Sequence, residues 1–97
     1  MSKMEYRKIF AIAIKKQLQV TNEDLVINRT KQVDGLNVSY DKTLQIEITG
    51  DPKEVLADLV DSYSVMMGNV APNIIAAKLK SEGVDKEKLP KSLSQRY

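Results

Sequence analysis

From Thr43 to Gly68 the chain changes its hydrophobic rhythm once, sharply. Leu44, Ile46 and Ile48 alternate with Gln45, Glu47 and Thr49, the period-two mark of a strand with one wet face. Gly50 breaks the run. Asp51 then suits a helix cap, Pro52 a first helical position, and Glu54 the acidic place of a capping box. Val55, Leu56, Leu59, Val60, Tyr63, Met66 and Met67 follow at helical spacing and predict one apolar face.

The N-terminal stretch has the same helical rhythm. Tyr6, Ile9, Phe10, Ala13, Gln17 and Val20 fall at i, i+3, i+4, i+7, i+11 and i+14, and Ser2 with Glu5 forms a capping-box signature. The expectation is a helix from about Lys3 to Val20. Phe10, Ile12 and Ile14 also alternate as a strand would, but the helix formers around them and the cap favour helix.

Between these helices the pattern predicts strands. Leu25 to Val33 reads as a first strand, Asp34-Gly35 as a two-residue hairpin turn, and Leu36, Val38 and Tyr40 as the buried side of a second strand. A three-residue Asp41-Lys42-Thr43 loop pairs Tyr40 with Leu44, Val38 with Ile46 and Leu36 with Ile48, all on one face. The same register aims Arg29 and Lys31 of the first strand inward, which requires a bulge or a wet inner end.

Gly68 marks the end of the central helix. A further helix is expected from Val70 to about Glu82, either capped at Asn69 or continuous with the first through a kink at Gly68–Pro72. Val84, Asp85 and Leu89 resemble a hydrophobic staple around a short turn of helix, ended by Pro90. The predicted architecture is α+β: an N-terminal helix, a three-stranded antiparallel meander, then a long amphipathic helix and a second C-terminal helix. All helices cover one sheet face. Residues 1–90 form the single domain and residues 91–97 a flexible tail.

Composition narrows the chemistry. Ninety-seven residues, 42% hydrophobic and 29% charged, fit one soluble globular domain, and no apolar run approaches a membrane span. Neither histidine nor cysteine occurs. The commonest general base, the thiol nucleophile and any thiolate metal site are therefore missing. No catalytic, cofactor or metal site is predicted, and a cytoplasmic location is the default. Glu54, Asp58 and Asp61 line one face of the central helix, where acids near a helix N-terminus are favourable without a metal.

The net charge of +2 hides an asymmetry. Residues 1–20 carry five basic and one acidic side chain, residues 51–67 one basic and four acidic, and residues 68–97 six basic and three acidic. Two functions from different classes follow. The first is a non-enzymatic protein–protein interaction module, a homodimer or a small subunit of a larger assembly. It would use the unprotected third strand around Glu47 and an apolar patch of Val65, Met66, Met67 and Val70. The alternative is nucleic-acid binding by Arg7, Lys8, Lys15 and Lys16 with the basic C-terminal segment. The predicted outward sheet positions offer that alternative no aromatic platform.

Two strands, a helix and the Ser62–Tyr63 pair within Leu59–Met67 resemble the small dimerising subunit of the KEOPS tRNA-modification complex, over about residues 36–75. That family has a strand before its first helix, for which this chain has no room. No residue role is carried over.

Overall fold

A computed structural model describes residues 3–97. Five α-helices and one two-stranded sheet follow in the order α1 (Lys3–Val20), α2 (Glu23–Lys31), β1 (Leu36–Tyr40), β2 (Leu44–Ile48), α3 (Pro52–Met67), α4 (Val70–Ser81) and α5 (Lys91–Ser94), with a 3-10 turn at Lys86–Lys88 between the last two. The expected three-stranded meander is not formed. The sheet has two strands, and the stretch assigned to its first strand is α2.

Local chemistry explains the correction. Asn22 Oδ1 accepts from the backbone N–H groups of Asp24 (2.8 Å) and Leu25 (3.3 Å), so it caps a helix start. Glu23 and Asp24 sit at the positive end of the helix dipole, and Arg29 and Lys31 at the negative end. Val26, Thr30 and Val33 are buried at i, i+4 and i+7. The awkward inward aim of Arg29 and Lys31 vanishes, because a helix turns Lys31 to solvent and leaves Arg29 half-exposed. Asp34-Gly35 consequently is no hairpin turn. It joins α2 to β1, with Gly35 at φ +81°.

The second half of the strand reading agrees with the structure. β1 and β2 pair antiparallel, with Leu36 opposite Ile48, Val38 opposite Ile46 and Tyr40 opposite Leu44. Asp41 N–H donates to Thr43 C=O at 3.3 Å, closing the three-residue loop. α1 spans the predicted range; its Ser2–Glu5 capping box lies outside the described residues. Asp51 Oδ2 accepts from Glu54 N–H at 3.1 Å and caps α3, with Pro52 in the first turn. At Gly68 the chain takes φ +61° and breaks, so α3 and α4 are two helices. Asn69 makes no side-chain capping bond to α4.

One hydrophobic cluster draws on every helix and both strands. Phe10, Ile14, Leu56, Leu59, Tyr63, Ile75, Leu79 and Leu93 are fully buried within it. α1 packs against α4, β2 and α2, while α3 packs against α4 and α2. Residues 91–97, expected as a tail, hold a turn of helix that packs on α4. Leu93 is sealed in the core, Tyr97 Oη donates to Val84 C=O (2.8 Å), and Arg96 Nε donates to Asn73 Oδ1 (2.8 Å). Proline at position 90 ends one turn, but its fixed φ also starts the next.

Candidate functional site

Replacing the expected first strand by α2 changes the status of β1. A strand expected in the middle of a sheet is now at its edge. Two bonds fix which of its groups face outward. Thr49 N–H donates to Gly35 C=O (2.8 Å), and Asp41 N–H to Thr43 C=O (3.3 Å), so pairs 35/49 and 41/43 lie on the bonded steps of the ladder. Bonded and non-bonded pairs alternate. Asn37 and Ser39 therefore turn their N–H and C=O toward β2, and Leu36, Val38 and Tyr40 turn theirs away from it. Leu36 N–H donates to Val33 C=O at 3.3 Å. Among the described residues, no group of the chain bonds the N–H or C=O of Val38 or Tyr40, or the C=O of Leu36.

The strand's own side chains give this edge no guard, though α2 packs beside it. Leu36-Asn37-Val38-Ser39-Tyr40 contains no charge and no proline, the usual devices against strand addition. Val38 is half-buried and Tyr40 is 41% exposed. Beyond Tyr40 the hairpin tip opens into a shallow groove of about 550 Å³, lined by Lys15, Leu18, Lys42 and Leu44 among others. On the other strand, Leu44 and Ile46 turn their main-chain groups outward by the same parity. Arg7 shares a surface hollow with both strands, with Asn37, Val38 and Ser39 as with Ile46 and Glu47, and α1 packs against β2 as α2 does against β1. The edge nominated from the sequence, that of β2, differs from β1 in carrying one charged side chain of its own, Glu47. Glu47 itself is occupied, its Oε1 accepting from Asn37 Nδ2 at 3.2 Å.

The other nominated residues lie elsewhere. Val65 is 70% exposed, in a groove between α2 and α3 with Arg29, Asp58 and Asp61. Val70 is 53% exposed in the first turn of α4. Met66 and Met67 are half-buried against the core, so they fill space where Val65 does not. Glu54, Asp58 and Asp61 are exposed, and among the described residues no three acidic side chains converge as a metal site would require.

Lys8 and Lys15, seven residues apart, share an exposed face of α1, and Arg7 lies about 100° round the helix. Arg7 borders the hairpin's outer face of Asn37, Ser39, Gln45 and Glu47. Lys8 also borders a hollow with Glu82 and Lys88. Lys15 borders the hairpin-tip groove, and Lys16 is half-buried. In the C-terminal segment, Lys78 pairs with Glu82 (3.3 Å) and Lys88 with Glu5 (3.0 Å).

Three tyrosines titrate high. Burial pushes the Tyr63 phenol up to about 12, against a lesser lowering by its bond to Thr30. Tyr6 and Tyr97 are raised too, first by burial and then by nearby carboxylates, Asp51 for Tyr6 and Asp85 for Tyr97. None of the three belongs to the β1 edge.

No protein family, curated protein or solved structure matches this chain. No helix among the described residues is long and apolar enough to cross a membrane.

Proposed function

We propose that this chain is a non-enzymatic protein–protein interaction module of the cytoplasm that binds by strand addition to β1. One observation carries the reading: Val38 and Tyr40 present unpaired main-chain donors and acceptors on a strand without a single charge. An extended segment laid beside β1 would satisfy those groups. Side chains at alternate positions would supply selectivity. Freedom from histidine and cysteine supports the non-enzymatic part. Pairing of Lys78 with Glu82 and of Lys88 with Glu5 leaves the nucleic-acid alternative fewer unpaired cations in the C-terminal segment.

Val38→Pro tests the reading with little harm to the fold, since the Val38 N–H faces away from β2 and takes no part in the hairpin ladder. Tagged wild-type chain and the variant, both shown folded by circular dichroism, are used as baits in extract from the native organism. Proteins held by the wild type, further copies of the chain included, are lost from the variant. Equal capture by both baits refutes strand addition at β1.

A further inference from the structure

We infer that the strand laid against β1 is β1 of a second copy, antiparallel and centred on Val38; this rests on the strand-addition reading above. The edge is complementary to itself. About a two-fold axis at Val38, each Val38 N–H meets the Val38 C=O of the other copy. Each Tyr40 N–H meets the other copy's Leu36 C=O. The result is four main-chain bonds and a four-stranded sheet of order β2-β1-β1-β2. The pairing stops where the free groups stop, because Leu36 N–H is already held by Val33 C=O. A register centred on Ser39 also makes four bonds, but it overlaps only Val38 to Tyr40. Centring on Val38 overlaps all five residues of the strand and sets Val38 against Val38 on the apolar face.

The strand itself brings no charge to the approach. Neither copy brings a charged side chain from β1, so like charges do not meet across the axis. On the outer face Asn37 of one copy stands opposite Ser39 of the other. Both are exposed, and the chain has no cysteine of its own. These facts supply a test of register as well as of association.

Asn37→Cys and Ser39→Cys are made as separate variants and oxidised alone and mixed. In the proposed register, 37 and 39 form a non-bonded pair with Cα atoms about 4.5 Å apart, inside disulfide range. Like positions are diagonal neighbours at roughly 7–8 Å, too far to bridge. The expected result is a covalent dimer from the mixture and little from either variant alone. Sedimentation of the untagged wild type should show a dimer at high micromolar concentration. Val38→Pro should raise its dissociation constant by about tenfold or more, through loss of two donors and the added rings.

A dimer from Ser39→Cys alone overturns this register, and no covalent dimer in any mixture overturns self-pairing. If the wild type stays monomeric while Val38→Pro still loses a different captured protein, self-pairing fails and the module stands. If both experiments are negative, the strand-addition reading fails with it.

Discussion

Tyr63 donates its phenolic proton to Oγ1 of Thr30 across 2.6 Å in the closed interior between α3 and α2. The direction follows from the next link. Thr30 Oγ1 donates its only proton to Val26 C=O at 2.7 Å, so toward Tyr63 it can only accept. The two substitutions that break this link should differ. Tyr63→Phe removes a donor and leaves Thr30 bonded to Val26, at a cost of about 0.5–1.5 kcal/mol. Thr30→Val strands a buried phenol without an acceptor and should cost about 1–3 kcal/mol. Urea unfolding of both singles and the double variant gives the coupling. Equal losses that simply add would remove the link.

Stability should fall at high pH because of the same phenol. Tyr63 ionises at about 12 in the folded chain against 10.0 when unfolded. The folded state therefore holds the proton more tightly over that window. Its contribution is complete below pH 10 and is lost as pH rises toward 12, amounting to something on the order of 2–3 kcal/mol. Tyr6 and Tyr97, raised in the same direction, add to the trend. Denaturant midpoints measured across that range should decline for the wild type and less steeply for Tyr63→Phe. An identical slope in both would place the titration elsewhere.

Among the described residues, Gln17 is the one long polar side chain sealed in the core. It is fully buried, and neither amide atom has a hydrogen-bond partner in the chain. An unpaired buried amide costs about 1–3 kcal/mol in proteins. Methionine has nearly the same shape without those polar atoms. Gln17→Met should thus stabilise the fold by about that amount, with a rise in Tm of ~4–8 °C per kcal/mol for a domain of this size. A lower Tm in calorimetry would show that the amide earns its place.

Much of this fold was legible because its apolar rhythm is local. The limits of α1, the cap at Asp51 and the whole β1–β2 register follow from spacing and turn chemistry alone. Residues 25–33 were not legible in the same way. Val26, Thr30 and Val33 carry the helical face, yet a central threonine and a following Asp-Gly suggest strand and hairpin. The deciding signal was the cap at Asn22 followed by two acids, together with the two cations that a strand would have turned inward. Misreading α2 also hid the site. With a strand beside it β1 would be central, so its empty charge pattern looked ordinary. The C-terminal segment misled for another reason: Leu93 is one apolar residue among polar ones, and only tertiary packing shows where it goes.

Gly35 and Gly68 both hold positive φ, +81° and +61°, but only one is crowded. A Cβ on Gly68 would meet nothing within 4 Å. With φ +61° and ψ −144° Gly68 lies outside the left-handed helical region, where a Cβ is poorly tolerated, so Gly68→Ala should cost a backbone term of about 1–3 kcal/mol and no packing term. On Gly35 it would lie 2.9 Å from Val55 Cγ2 and 3.2 Å from the Gly50 nitrogen. Gly35 C=O also receives Thr49 N–H, so any shift of this residue pulls on the hairpin. Gly35→Ala should therefore add a packing penalty of about 1–3 kcal/mol to its own backbone term. Trimming the neighbour with Val55→Ala should recover part of the packing penalty, because the side chain can yield while the Gly50 backbone and the φ angle cannot. Chemical denaturation of Gly35→Ala, Val55→Ala, their double and Gly68→Ala checks the order. A double variant that loses as much as the Gly35→Ala and Val55→Ala singles added together would mean that the contact between the α2–β1 link and the first turn of α3 is not tight.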